Sequence, residues 1–184
     1  RRGTRMNWVG AFAPGTVGGR RAHPPKTERI WWKKINEKER AKAIRSAIAA
    51  TVLKDIVLER GHLVPDNYPF ALDDKFESLN KTHEVIEAFV KLGLESELQR
   101  AQNKTVRAGK GKSRGRKYKK RKGPLVVVGK KDKLHDALKN IPGVDVVEVR
   151  SLNTELLAPG AKAGRLTLWT SSAIGILGKE RLFK

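Results

Sequence analysis

Apolar and polar positions alternate with a helical period through the first half of the chain. Residues 36–60 carry their apolar side chains at four-residue spacing: Ile44, Ile48, Val52 and Ile56. This spacing predicts one amphipathic helix, with small Ala41 and Ala47 on its buried side. Asn36 is a suitable N-cap, and Gly61 supplies a left-handed stop.

Two further helices are predicted before residue 103. The segment 82–92 places its large apolar side chains on one face, and Gly93 ends it. These side chains are Val85, Ile86, Phe89 and Leu92. A shorter helix is predicted over 95–102.

The period changes after residue 123. Short apolar runs typical of buried strands occupy 124–128, 144–149 and 165–170. Helical patterns lie between and after them, at 132–141, 154–157 and 171–178. Strands that alternate with helices imply right-handed crossovers and a parallel sheet. We therefore predict an α/β fold, a three-layer sandwich with a mainly parallel sheet of about four strands.

Composition limits the compartment and the class of partner. The chain has 184 residues, of which 39% are hydrophobic, so one modest core is expected. It contains no cysteine, which favours a reducing compartment, and we predict a cytoplasmic protein. Lys and Arg number 40 against 19 acids, a net charge of +21 that indicates a polyanionic partner.

The excess charge is confined to two segments. Residues 1–34 hold nine Lys or Arg and one acid, and residues 104–123 hold eleven Lys or Arg and no acid. Their net charges of +8 and +11 leave only +2 for the remainder. Both segments are rich in glycine and poor in large aliphatic side chains. We expect them to be extended or mobile until a partner binds.

The second basic segment has the chemistry of a phosphate-binding surface. Its glycines at 109, 111 and 115 allow close approach of the backbone, and its arginines can hold phosphate oxygens with two hydrogen bonds each. These arginines are Arg107, Arg114, Arg116 and Arg121. Tyr118 offers a plane on which a base can stack.

The first basic segment repeats this composition. Its cations surround Pro24 and Pro25, which favour an extended course. Trp31 and Trp32 then precede Lys33 and Lys34. Neighbouring residues on an extended chain face opposite ways, so one tryptophan can anchor in the domain while the other contacts RNA. The alternative is that both belong to the core or its rim.

The sequence contains no motif that supports a catalytic, metal or nucleotide site. A Walker loop ending at Ser113 needs glycine where Val106 stands, and here the strand follows the loop. The four histidines lack metal-ligand spacing, and no serine occupies a nucleophile elbow. The acids Asp73, Asp74 and Glu77 are expected to cap and solubilise a loop. We predict no enzyme activity, no cofactor and no metal.

Six blocks, in order along most of the chain, resemble the archaeal form of the fourth large-subunit ribosomal protein family. They are GGRRAHPPK (18–26), IWWKKIN (30–36), IRSAIAAT (44–51), RAGKGKSRGRKY (107–118), RSLNTELLAPG (150–160) and LTLWTSSAI (166–174). The resemblance implies a structural constituent of the large ribosomal subunit. Its partners would be large-subunit ribosomal RNA and neighbouring ribosomal proteins.

The resemblance also implies roles for individual segments. Residues 1–29 would be the returning arm of a long extended loop that penetrates the RNA, with Arg1, Arg2 and Arg5 near the exit tunnel. Residues 30–184 would be the globular domain, and the family's outgoing arm, strand and helix would precede residue 1. The RNA-binding residues would be Arg20, Arg21, His23, Lys26, Arg29, Trp31, Trp32, Lys33, Lys34, Arg107, Lys110, Lys112, Arg114, Arg116, Lys117, Tyr118, Lys119, Lys120, Arg121 and Lys122. The alternatives are a stand-alone RNA-binding regulator and, far behind, an unrecognised α/β enzyme.

Overall fold

The computed structural model describes residues 13–16, 18–130 and 133–183, and the chain divides into two units, residues 1–35 and 36–184. The described part of the first unit contains no helix or strand. It holds a tight turn in which the Gly19 amide donates to the Thr16 carbonyl at 3.0 Å. Nearly all of its described side chains are exposed. Arg1, Arg2 and Arg5 lie outside the described residues.

The second unit is built from helices that alternate with short strands. Its helices are α1 Glu37–Val52, α2 Lys54–Glu59, α3 Thr82–Lys91, α4 Glu95–Gln102, α5 Lys133–Lys139, α6 Thr154–Leu157 and α7 Ser171–Lys179. Its strands are β1 Ala71–Leu72, β2 Lys104–Val106, β3 Tyr118–Lys120, β4 Leu125–Val128, β5 Asp145–Glu148 and β6 Thr167–Thr170. Four short 3-10 helices complete it, at Asp74–Ser78, Lys110–Ser113, Val149–Ser151 and Pro159–Ala161.

Four strands form a parallel sheet in the order β1-β6-β4-β5. Val126 of β4 pairs with Val146 on one side and with Leu168 on the other, so β4 lies inside the sheet. The mainly parallel four-strand sheet predicted from the alternating pattern is confirmed. The fourth strand, β1, was not located in the sequence because two residues carry no readable periodicity.

Helices cover both faces of this sheet. Val126 and Val128 belong to a core cluster with Val85 and Phe89 of α3, whereas Leu125 and Val127 belong to a second cluster with α1, α6 and α7. Successive strand residues point to opposite faces, so all four side chains of β4 are buried. This double coverage explains why β4 reads as a continuous apolar run.

The predicted helix over 36–60 is in fact two helices. Leu53 adopts an extended conformation, with φ −83° and ψ 107°, which separates α1 from α2. The chain changes direction there, so the four-residue spacing does not continue on one buried face. Ile44 is buried, but Val52 is 48% exposed. Asn36 precedes α1 without a side-chain capping bond, whereas Gly61 has the expected positive φ of 92°.

The remaining predicted elements agree closely with the structure. Helices α4 and α6 have the predicted bounds, and α3 and α7 differ by one residue at an end. In α3, Val85 and Phe89 are buried as predicted, while Ile86 is 37% exposed. These segments were predictable because each helix has one apolar face and a glycine or capping residue at its end.

The α1 contact with the sheet provides a test of the fold. Ile44 is buried, so Ile44→Asp introduces an unpaired charge among apolar side chains. We expect unfolding to be easier by about 4 kcal/mol or more, which corresponds to a melting temperature about 8–16 °C lower. Ala49→Asp, on the exposed side of the same helix, should cost about 1 kcal/mol or less. Thermal melts of both variants measure the two losses of stability. Equal losses would contradict the assignment of Ile44 to the buried face of α1.

Candidate nucleic-acid interface

The second basic segment folds as an antiparallel hairpin of β2 and β3, residues 104–120, here called the basic hairpin. Thr105 pairs with Lys119, and Lys104 lies directly opposite Lys120. The Arg107 amide donates to the Lys117 carbonyl at 2.8 Å. The segment is therefore a paired element, not the featureless extended run expected from its composition. The pairing was missed because three-residue strands rich in lysine have no hydrophobic alternation.

The loop of the basic hairpin is shaped by glycine. Gly109 and Gly115 have φ values of 79° and 75°. Residues that carry a Cβ adopt such positive φ values only under strain. Between them, the amides of Arg114 and Arg116 both donate to the Gly111 carbonyl at 3.1 Å. This tight loop presents its cations outward, and almost every side chain from 102 to 122 is exposed.

Like charges on the basic hairpin are not compensated by acids within it. The directly opposed Lys104 and Lys120 repel each other across the strand pair, which weakens a hairpin standing alone. A polyanion bound along this surface would relieve the repulsion. The geometry thus favours a partner with closely spaced negative charges.

Tyr118 provides an aromatic plane within this charged surface. Its ring is 44% exposed, and the amines of Lys104 and Lys117 lie 4.7 and 5.4 Å from the ring centroid. Cations at these distances interact favourably with the ring face and orient it. Val106, its partner across the strands, is also exposed. The pair forms an apolar patch surrounded by cations, which suits stacking of an unpaired base.

A buried carboxylate fixes one end of the basic hairpin. Glu97 in α4 is fully buried and accepts hydrogen bonds from Arg100 Nε at 2.7 Å and from the Leu63 amide at 3.0 Å. His62 Nδ1 lies 2.7 Å from Glu97 Oε1, and because a carboxylate only accepts, His62 donates here. Arg100 Nη2 in turn donates to the Lys122 carbonyl at 2.7 Å. This cluster joins α4 to the segment that leaves the hairpin.

A buried arginine fixes the following residue. Arg165 is fully buried just before β6, and its Nε donates to the Gly123 carbonyl at 3.0 Å. Its two terminal nitrogens donate to the Leu156 carbonyl at 2.9 Å and to Asp145 Oδ2 at 2.6 Å. Arg100 and Arg165 therefore hold consecutive carbonyl groups where the chain passes from the basic hairpin into β4. The hairpin has a fixed root.

These pairings lower the pKa of both carboxyl groups. Burial alone would raise the pKa of Glu97, but hydrogen bonds from Arg100, His62 and the Leu63 amide outweigh it, so the pKa lies below its ordinary value. The pKa of Asp145 is also lowered, because the hydrogen bond and charge of Arg165, followed by those of Lys122, outweigh its partial burial. Both groups therefore keep their charge to a lower pH than unpaired carboxyl groups do.

Sequence reasoning missed this root entirely. His62, Glu97, Arg100, Asp145 and Arg165 were not among the predicted residues, because a buried ion cluster assembled from distant segments leaves no local pattern. The only readable signal is the i, i+3 pair of Glu97 and Arg100 within α4.

The predicted residues of the first unit are exposed. Trp31 and Trp32 are 74% and 72% exposed. That one of them anchors in the domain while the other contacts RNA stays a prediction. The Arg29 guanidinium lies 4.6 Å from the Trp31 ring centroid. A concave surface of about 640 Å³ is lined in part by Arg20, His23, Lys26 and Arg29, so the structure brings these four predicted residues together.

The acids Asp74 and Glu77 were expected to cap and solubilise a loop, but they lie at the amino end of helix α7, which is distant in sequence. Asp74 Oδ1 accepts the Ser172 amide at 2.8 Å, and Glu77 Oε1 accepts the Gly129 amide at 3.1 Å and the Ser172 hydroxyl. Negative charge is favourable at this amino end of α7. Among the residues that the structure describes, no group of His, Asp and Glu side chains could hold a metal ion.

The described helices include none long and apolar enough to cross a membrane. A doubly covered α/β sheet that carries a rooted, exposed and strongly basic hairpin has the features of a protein that binds a polyanion.

Comparison with known proteins gives the family. The family model described as "Ribosomal protein L4/L1 family" matches residues 1–180, and the chain belongs to this family. The resemblance found in the six sequence blocks is thereby confirmed. Because this is a family of ribosomal proteins, membership agrees with the prediction that the chain is not an enzyme.

Several archaeal relatives carry the name "Large ribosomal subunit protein uL4". The protein of Methanocaldococcus jannaschii is 53% identical over 178 residues, covering 96% of this chain and 70% of the relative. The proteins of Archaeoglobus fulgidus and Nanoarchaeum equitans are 51% and 49% identical, covering 90% and 100% of this chain and 66% and 68% of the relatives. The chain thus spans about two thirds of the length of these relatives.

The lowered pKa of Glu97 generates a pH prediction. A depressed pKa in the folded state stabilises the fold above the unfolded-state pKa of about 4.3, and this contribution is lost as the pH falls through the folded-state value. We expect Glu97→Gln to unfold more easily than the unsubstituted chain by about 3 kcal/mol at pH 7, because Arg100 loses its buried partner.

The two unfolding free energies should converge only once the pH has fallen below the lowered folded-state pKa of Glu97, because Glu97 is then protonated in both states. Denaturant unfolding between pH 2.5 and 7 measures this. Glu95→Gln, on the exposed side of α4, serves as the matched control and should follow the unsubstituted chain throughout. A pH-independent difference for Glu97→Gln would contradict the assigned role of its charge.

Proposed function

We propose that this chain is a structural constituent of the large ribosomal subunit, that it binds large-subunit ribosomal RNA, and that it works in the ribosome of the cytoplasm. The observation that carries the proposal is the rooted basic hairpin on a domain of a ribosomal-protein family. The named relatives support the same assignment. Neighbouring proteins of the subunit are its expected further partners.

The mechanism is neutralisation of phosphate charge. Cations placed on RNA phosphates release condensed counterions, which supplies a large part of the binding free energy without reading sequence. Because Arg100 and Arg165 fix the root of the basic hairpin, fewer degrees of freedom are lost when RNA binds. Neutralised RNA segments can then approach one another, and the protein acts as a scaffold.

The first basic segment has a related role. We assign residues 1–29 to the returning arm of an extended loop that reaches toward the polypeptide exit tunnel, with Arg1, Arg2 and Arg5 closest to it. The high exposure of the described part of this segment, and the concave surface lined by Arg20, Lys26 and Arg29, support an RNA-facing course.

Salt dependence provides the principal test. If about eight cations meet phosphates, the logarithm of affinity should fall with the logarithm of salt concentration at a slope of about −7. Replacing Arg114, Arg116, Lys119, Lys120 and Arg121 with Gln should reduce the steepness by about four units, since each contact contributes ~0.9. The melting temperature should hardly change, because these exposed side chains make no ion pair with an acid among the described residues.

The matched control replaces five exposed cations of the helices with Gln: Lys38, Lys42, Arg45, Lys91 and Lys179. It removes the same charge and should retain most of the slope. Filter binding to a large-subunit RNA transcript measures the slopes, and sedimentation in high-salt gradients tests incorporation into subunits. A slope near −1 for the unsubstituted chain, or its absence from the subunit, would refute the proposal.

Trp32 is proposed to stack on an unpaired base. Its side chain is 72% exposed, and Lys33 and Lys34 follow it directly in the sequence. We expect Trp32→Ala to weaken RNA binding by about 1–3 kcal/mol while the salt slope stays constant, because stacking releases no counterions. Trp32→Phe should restore most of the affinity. Ile35→Ala, at another exposed apolar side chain, should bind as the unsubstituted chain does. Equal affinities for Trp32→Ala and Ile35→Ala would disprove stacking by Trp32.

A further inference from the structure

A concave surface of about 380 Å³ lies beside the root of the basic hairpin. Residues 120–122, which lead from β3 toward β4, line it together with residues 139–145, which lead from α5 into β5. Because β4 and β5 are parallel, both start at the same edge of the sheet. We call this surface the amino-edge cleft.

The amino-edge cleft is held in shape by backbone hydrogen bonds. The Gly123 amide donates to the Gly143 carbonyl at 2.8 Å, and the Asp145 amide donates to the Pro124 carbonyl at 3.2 Å. Gly143 has a φ of 82°, and a Cβ built there would lie 2.9 Å from the Cβ of Ala101. The two lining segments are therefore packed closely against each other, and the cleft does not require rearrangement to form.

The charge of the amino-edge cleft is strongly positive. Four cations line it, from two separate segments: Lys120, Arg121, Lys122 and Lys139. The single lining acid, Asp145, already accepts from Arg165 at 2.6 Å and lies 3.1 Å from Lys122 Nζ. Lys139 makes no ion pair with an acid within the described residues. The cleft therefore has cationic capacity that the protein itself does not neutralise.

Lys139 by itself has an ordinary structural explanation. It ends α5, where a cation interacts favourably with the helix dipole. That explanation does not account for the three cations that face the same cleft from residues 120–122. Asn140 adds an exposed amide that can donate hydrogen bonds to phosphate oxygens.

The opposite edge of the sheet is occupied by groups of the protein itself. In parallel α/β sheets ligands usually bind at the carboxyl ends of the strands. Here the ends of β4 and β6 are occupied by carboxylates of the protein, since Glu77 accepts the Gly129 amide and Asp74 accepts the Ser172 amide. The groups at that edge are thus paired with one another, whereas the amino-edge cleft keeps cations that have no acidic partner among the described residues.

We propose that the amino-edge cleft binds the phosphate backbone of ribosomal RNA, and that Lys139 and Asn140 are RNA contacts outside the basic hairpin. This inference rests on the proposed function and extends its RNA surface from the hairpin onto the α/β sheet domain. Within α5, the proposal places RNA contacts in the last turn only. The other exposed side chains of this helix are not expected to bind RNA.

The test compares Lys139→Gln with Lys133→Gln, which removes the same charge from the first turn of the same helix. Binding of the full 184-residue chain to a large-subunit RNA transcript is measured from 0.05 to 0.5 M salt. We expect Lys139→Gln to reduce the steepness of the salt slope by about 0.7–0.9 and to weaken binding about four- to sixfold at 0.15 M salt. Lys133→Gln should match the unsubstituted chain, and neither change should alter the melting temperature.

A second measurement reports position directly. The sequence contains no cysteine, so a single Lys139→Cys or Lys133→Cys substitution can carry an iron–EDTA group for hydroxyl-radical cleavage. We expect cleavage of the bound RNA transcript from position 139 and little from 133. Equal salt slopes for the two Gln variants, or cleavage from position 133 alone, would overturn the proposal that the amino-edge cleft binds RNA. The proposed function of the protein would remain intact. A slope near −1 for the unsubstituted chain would instead refute the proposed function itself.

Discussion

The ion cluster around the buried carboxylate of Glu97 is the interaction on which the rest of the charged surface depends. A segment with eleven cations and no acid repels itself and has too few apolar side chains to join a core. It can be held in place only through groups outside itself. Glu97 binds Arg100, and Arg100 then holds the Lys122 carbonyl. Arg165 does the same for Gly123, with Asp145 as its counterion. The buried ion pairs thus fix the position of the exposed cations of the basic hairpin.

This arrangement divides the α/β sheet domain electrostatically. The carboxyl edge of the sheet is closed by Asp74 and Glu77, which satisfy the amino end of α7 and the turn after β4. The amino edge carries the root of the basic hairpin and the cleft beside it. The familiar ligand position of parallel α/β sheets is therefore filled by the protein, and the binding surface that we propose lies at the other edge. A scaffold for RNA needs this broad cationic surface more than it needs an enclosed pocket.

Elements with their own local signal were predictable from the sequence. The helices Glu95–Gln102 and Thr154–Leu157 have the predicted bounds, and β4 was recognised as a buried strand from its apolar run. Errors arose where a contact distant in sequence decides the conformation. The four-residue spacing from Ile44 to Ile56 continues through Leu53, yet the chain bends there.

The sequence by itself determined that this chain has an α/β core, that its surplus charge lies in two segments, and that this charge favours a polyanionic partner. These properties are sums over many residues or repeat at a fixed period, so they can be read without coordinates. Only the tertiary structure decided which residues hold the basic hairpin, because His62, Glu97, Arg100, Asp145 and Arg165 come from four separate segments. Their pairing depends on burial, and a buried charge finds its partner by proximity in space, which spacing along the chain does not encode.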